Sequence, residues 1–253
     1  MRARNTMTPS TPVSTLAAFL DTPTFGLLRT ALGKAQHLRY KLFQKKRHEG
    51  TVLENICGTP LVVTPGVLNP RLMRTGAFFA EQLAALLPDR NAELLDMGTG
   101  SGVCAVVAPR YARKVVAVDI NPVAARCARI NVLLNRLEDR VDVLEGDLFA
   151  PVAGRRFDVV LFNPPFLKGV PLDDADHAWR STDVAERFAA QLRDHLTPSG
   201  FALVLLSSFG GAAEFLRQFH RHDFELTLAA EREYINERLA IFKIAPLQTP
   251  RLP

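Results

Sequence analysis

At 253 residues the chain has room for one sizeable α/β domain and a short appendage. Its 47% hydrophobic and 23% charged residues are those of a soluble globular protein, and no apolar run approaches the roughly 20 residues a membrane span needs. The net charge of +5 is uneven: residues 1–50 hold nine Lys or Arg against Asp21 and Glu49, a local +7 that leaves −2 for the rest of the chain. Cys57, Cys104 and Cys127 form an odd, widely spaced trio that matches neither a disulfide framework nor a zinc pattern. They read as small buried apolar residues in a reducing cytoplasm, and no metal is expected.

Residues 1–12 read as a flexible tail without the compact apolar core of a secretory signal, and Pro9, Pro12 and Pro23 weigh against a transit peptide. From Leu16 to about Arg47 apolar residues recur at helical spacing (Phe25, Leu28, Leu32, then Leu38, Leu42), with Asp21-Thr22-Pro23 as a break. This basic arm over residues 1–50 is either a nucleic-acid contact or simply a solvated helix. Residues 51–253 form the main domain. Thr51 to Val63 predicts a strand pair closed near Gly58-Thr59-Pro60, and a helix covers Thr75 to Leu87, ending at Pro88.

Strands and helices then alternate. Strands are expected at Glu93–Asp96, Val115–Asp119, Val141–Glu145, Phe157–Asn163 and Phe201–Ser207. Helices are expected at Val103–Tyr111, Pro122–Asn135, Asp183–Leu196 and Ala212–His222. Two closing strands, Phe224–Arg232 and Leu239–Ile244, complete the chain. Repeated β-α-β units with unbroken Val, Leu and Phe strands imply an α/β fold whose mostly parallel sheet is covered on both faces.

Between the first of these strands and its helix lies Asp96-Met97-Gly98-Thr99-Gly100-Ser101-Gly102. Gly98, Gly100 and Gly102 allow positive φ and close approach of a ligand to the backbone. The dinucleotide fingerprint is one residue longer, and an acid at its start would repel a pyrophosphate. Asp96 suits instead the cationic amino-acid end of S-adenosylmethionine, with Thr99 in the same turn. Asp119 closes the second strand, where an acid accepts from ribose hydroxyls. Asp147 follows the third and is placed to accept from an adenine amino group, with Ile120 and Leu148 as apolar neighbours of the ring. Each acid alone has a plain alternative as a helix cap. Three at successive strand ends point to a cofactor.

The fourth strand runs into Asn163-Pro164-Pro165-Phe166. Pro164 holds Asn163 in an extended conformation and Pro165 stiffens the exit. The Asn163 side-chain oxygen and a nearby carbonyl would orient an amide or amino group, and Phe166 would stack on a planar substrate. The alternative is a proline-terminated strand with Phe166 in the core. The loop acids Asp173, Asp174 and Asp176 with His177 read as a solvated loop rather than a base, and Thr75 and Trp179 as lining for the substrate entrance or as packing.

Taken in order, Leu95 to Gly102, Asp119-Ile120-Asn121-Pro122, Gly146-Asp147-Leu148-Phe149 and Asn163-Pro164-Pro165-Phe166 resemble the HemK-type and small-domain N-methyltransferases over about Thr59 to Ile244. His177-Ala178-Trp179 and Glu237 to Phe242 add to the likeness. The resemblance implies a class I, Rossmann-like methyltransferase with a seven-stranded sheet whose last strand is antiparallel. It implies S-adenosyl-L-methionine as cofactor and an acceptor that is a glutamine amide of a protein or an exocyclic amine of an RNA base. The larger helical N-terminal domain of release-factor enzymes and the duplicated domain of guanine-modifying relatives are absent, so the substrate does not transfer with the fold. A metabolite methyltransferase, a non-catalytic RNA-binding protein and an NAD oxidoreductase are the other readings; the Gly spacing disfavours the last.

Overall fold

The strand-forming runs are apolar at successive positions, which fits them only to a sheet covered on both faces. The computed structural model describes residues 50–87, 90–165, 167–168, 180–208, 210–235 and 237–248. The tail and basic arm read over residues 1–50 lie almost wholly outside them, as do Phe166, Asp173, Asp174, Asp176, His177 and Trp179.

An antiparallel hairpin comes first, β1 (Val52–Ile56) and β2 (Thr59–Val63), turned by Cys57 and Gly58 at positive φ. Helix α1 (Thr75–Leu86) follows. The repeating part is β3 (Glu93–Met97), α2 (Val103–Val107), β4 (Lys114–Asp119), α3 (Pro122–Leu134), β5 (Val141–Glu145) and β6 (Phe157–Phe162). A two-residue parallel pair, β7 (Leu167–Lys168) with β8 (Arg180–Ser181), was not expected from the sequence. The chain closes with α4 (Val184–Leu192), β9 (Leu196–Ser207), α5 (Ala212–Arg221), β10 (Phe224–Glu233) and β11 (Arg238–Pro246).

Seven strands make one sheet in the order β10-β11-β9-β6-β3-β4-β5. The five central and right-hand strands β9, β6, β3, β4 and β5 are parallel, and β11 inserts antiparallel between β9 and β10. Alternate residues feed two separate cores. Leu94, Val115, Val159 and Leu205 pack under the hairpin and α1 to α3; Leu95, Val116, Val160 and Leu206 pack under α4 and α5. The fold expected from the sequence, a Rossmann-like seven-stranded sheet with its last strand antiparallel, is the fold observed. Chain order reverses between β3 and β6, so the ends of these strands flank the crevice where ligands bind in open α/β sheets.

Two helices are shorter than the sequence suggests. The helix expected over Val103–Tyr111 stops at Val107 and tightens into a 3-10 turn, Ala108–Arg110, because Pro109 has no N–H to continue the ladder. The one expected over Asp183–Leu196 ends at Leu192, passes through a 3-10 turn, and gives way to β9 at Leu196 rather than Phe201. Pro198 and Gly200, which fall between the expected helix and the expected strand, lie in that strand, Pro198 exposed and Gly200 buried, beside a register shift against β6.

Candidate active site

The turn after β3 is built on left-handed glycines, with φ of 64° at Gly98, 57° at Gly100 and 81° at Gly102. Their surroundings differ. A Cβ on Gly102 would lie 3.0 Å from Ala128 of α3, so this glycine is where two helices touch; a Cβ on Gly100 would meet nothing within 4 Å. Gly100 therefore faces open space on the crevice side, the opening a ligand's approach requires.

Asp96, at 5% exposure, accepts the Thr99 hydroxyl at 2.6 Å. Burial pushes its carboxyl up to about 7; the Thr99 bond opposes the shift, the charge of Asp119 adds to it, and a bond from the backbone of Ala105 opposes it again. Because Ala105 lies in the first turn of α2, Asp96 also does part of the work of a helix cap. Asp119 does not. Its Oδ2 accepts from Gly100 N at 2.7 Å and its Oδ1 from Asn121 N at 3.0 Å, while Asn121 itself caps α3 by accepting from Val123 N at 2.8 Å. A carboxylate so oriented retains lone-pair capacity for ribose hydroxyls. Ile120 beside it is 44% exposed.

Asp147 is half exposed and ion-paired with Arg187 of α4, which has Asp183 as a second partner at 3.8 Å. Sequence reasoning gave Arg187 no role; it sits at the turn of an amphipathic helix where a solvated arginine is ordinary. Leu148 takes a positive φ of 45° and is buried, and the ring of Phe149 stacks 4.3 Å from His195 and 5.3 Å from Phe188.

At the end of β6 the ring of Phe162 lies 4.3 Å from Phe188 and approaches Gly98, so an aromatic stack ties the strand end to the glycine turn. Asn163 comes next. Its Oδ1 is buried with no hydrogen-bond partner, and its Nδ2 donates to Thr75 Oγ1 at 3.4 Å. Pro164 is buried and Pro165 half-buried. Thr64 Oγ1 is the second buried side-chain atom without a partner among the described residues. It opens the loop from β2 to α1, which passes α3 at Gly66, while Gly76, the second residue of α1, lies against Val103 of α2. On the other flank Ser207, ending β9, donates to buried Glu237 at 2.6 Å.

The crevice thus joins open backbone at Gly100, acids with both charge and acceptor capacity, and an orphaned acceptor at Asn163. That donor set fits a cationic, ribose-bearing cofactor and fits a pyrophosphate poorly. Among the described residues, no group of His, Cys, Asp or Glu is arranged to hold a metal ion, and no helix is long and apolar enough to cross a membrane.

Comparison with known proteins gives this geometry a family. A family model described as methyltransferase small domain matches residues 61–234. A putative protein N5-glutamine methyltransferase of Methanocaldococcus jannaschii is 30% identical over 168 residues, which are 63% of this chain and 84% of the relative. The ribosomal RNA small subunit methyltransferase C of Alcanivorax borkumensis is 32% identical over 152 residues, 60% of this chain and 43% of that one. Among solved structures, Methanocaldococcus jannaschii Trm5 in complex with adenosine superposes with a TM-score of 0.57 at 18% identity, covering 79% of this chain and 57% of that one. The chain belongs to the methyltransferase small domain family and is a Rossmann-like methyltransferase that uses S-adenosylmethionine.

Proposed function

We propose that the chain transfers a methyl group to a planar nitrogen, the side-chain amide of a protein glutamine or the exocyclic amine of an RNA base. The observation that carries this is the buried, unpartnered Oδ1 of Asn163 at the end of β6. A buried acceptor without a donor is costly, on the order of 1–3 kcal/mol, and an arriving –NH2 group relieves the cost. Such a group would give one N–H to Asn163 Oδ1 and the other to the Pro164 carbonyl, with Pro165 stiffening the turn and Phe166 stacking on the acceptor. This aims the nitrogen lone pair into the crevice.

The cofactor, when bound, supplies a methyl group activated on a sulfonium. The chain's own part is placement: Asp96, Gly98, Thr99 and Gly100 receive its amino-acid end while Gly102 packs the turn against α3, Asp119 takes its ribose, and Asp147 with Ile120 and Leu148 its adenine. In-line alignment of the two reactants is worth on the order of 7–11 kcal/mol. The positive charge developing on the acceptor nitrogen is stabilised by Asn163 and the Pro164 carbonyl, and its proton leaves to water, so no general base is required.

A glutamine amide is the preferred acceptor, because the match to the archaeal glutamine methyltransferase runs over 84% of that protein while the match to the ribosomal RNA enzyme covers 43% of its length. An RNA base is the second reading, favoured by the +7 charge of residues 1–50. Replacing Asn163 by Ala tests the shared claim: turnover is expected to vanish while calorimetric affinity for S-adenosylhomocysteine stays within about twofold. Turnover at the wild-type rate would refute the role of Asn163.

A further inference from the structure

The Asn163 amide has two ends, and the chemistry depends on which one faces the acceptor. A half-turn of the amide exchanges oxygen for nitrogen with little change of shape. Oxygen toward the acceptor gives N–H to O; nitrogen toward it sets donors against donors. The structure shows the first arrangement, with Nδ2 donating to Thr75 Oγ1 at 3.4 Å and Oδ1 left open. The bond is long, as bonds of catalytic groups often are in a free enzyme. It supplies the only acceptor among the described side chains that meets Nδ2, and an orphaned N–H is rarer in proteins than an under-satisfied carbonyl.

Thr75 is itself held firmly. It is the first residue of α1 and 6% exposed. Arg74 before it takes a positive φ of 65° and lays its guanidinium 4.7 Å from the ring of Tyr234, in the turn between β10 and β11. One turn further on, Arg232 of β10 lies 4.6 Å from the ring of Phe78 and pairs with Glu81 at 2.8 Å. Behind the helix start, Gly76 packs against Pro70 so closely that a Cβ would come within 2.8 Å. These contacts fix where the Thr75 hydroxyl sits relative to the end of β6.

We propose that Thr75 is a positioning residue for methyl transfer: its hydroxyl takes the amide nitrogen of Asn163, so that the amide oxygen faces the acceptor. This rests on the planar-nitrogen reading. The test measures transfer of a tritiated methyl group from S-adenosylmethionine into the protein and RNA fractions of cells lacking the gene, with variants compared on whichever fraction the wild type labels. Thr75→Val keeps the shape and removes the hydroxyl. It is expected to lower kcat about 10²-fold, the cost of a misplaced reacting group, and to leave the Kd for S-adenosylhomocysteine and the melting temperature near wild type. Thr75→Ser is expected to restore most of the rate. In the Asn163→Asp background the two carboxylate oxygens are equivalent, so Thr75→Val should then change the residual rate little.

A Thr75→Val enzyme with wild-type kcat overturns the proposal. So does an equal loss in the wild-type and Asn163→Asp backgrounds, or a loss that Thr75→Ser does not restore. If Asn163→Asp has no measurable rate, the serine variant decides; if Thr75→Val melts early, Thr75→Ala against Thr75→Ser decides. The side-chain amide protons of Asn163, identified by their disappearance in Asn163→Ala, should also exchange with water faster in Thr75→Val. Failure of the underlying reading looks different: Asn163→Ala would then be as active as the wild type, whatever Thr75 does.

Discussion

Asp96 carries opposite demands in the empty and the loaded protein. Buried at 5% exposure and beside Asp119, its carboxyl is pushed up to about 7, against an ordinary carboxylate value of about 4. The folded state then binds more protons than the unfolded chain between those two values, so the empty protein loses stability as pH rises from about 4 to about 7. A cationic amino-acid end favours the ionised carboxylate instead. Cofactor affinity is therefore expected to weaken as pH falls below about 7, and calorimetric titration between pH 5.5 and 8.5 checks it. In Asp96→Asn the pH dependence should flatten, and the empty variant should melt higher than wild type at pH 8; a variant that keeps the slope places its source elsewhere. At this scale the sequence marks Asp96, Asp119 and Asn163 because residue type and strand end coincide there, and the structure sets those ends on the neighbouring strands β3, β4 and β6. It was silent where a partner comes from a distant element: nothing in Asp147 points to Arg187, 40 residues on, and nothing in Ser207 to Glu237, 30 residues on.

The glycine turn shows how two residues of one motif serve different elements. Gly102 lies against Ala128 of α3, and Asn131 one turn on ties α3 to the turn and to β2, donating to Ser101 O at 2.8 Å and to Val62 O at 2.6 Å. Gly102→Ala combines a left-handed φ, about 1–2 kcal/mol, with overpacking against α3, about 1–3 kcal/mol. Thermal unfolding should show it losing about 2–5 kcal/mol. Gly100→Ala has the φ cost alone, because its Cβ meets nothing within 4 Å. It should lose only that φ cost of about 1–2 kcal/mol, less than Gly102→Ala, yet bind S-adenosylhomocysteine at least about tenfold more weakly, since the methyl group fills the opening. Equal effects of the two substitutions on stability would contradict this division of labour. Among the described residues the helices and strands, apart from the short β7–β8 pair, were legible from periodicity, whereas their ends were not. Pro109 and Pro198 illustrate why: the same residue type ends a helix in one place and is tolerated in a strand in the other, and only the pairing of β9 with β6 separates the cases.

Over the whole molecule, the alternation of apolar residues along β3, β4, β6 and β9 sorts the chain into two cores, and this was legible because unbroken apolar strands have no other stable place. The order of the strands was not legible: the resemblance implied seven strands with the last antiparallel, and local sequence does not say that β11 passes between β9 and β10. That placement makes the sheet depend on β11, which is synthesised after every other strand of the sheet. Among the described residues, β10 is held along the sheet by β11 alone, and the free edge of β9 is covered by β11 alone. While the chain is being synthesised, the edge of β9, with Leu203 and Leu205, stays uncovered until residue 246 has left the ribosome, and an uncovered apolar edge is a template for aggregation. A stop codon after residue 237 removes one strand from the gene and two from the sheet. Such a truncated chain should be found in inclusion bodies rather than in the supernatant, where the 253-residue chain is expected to stay.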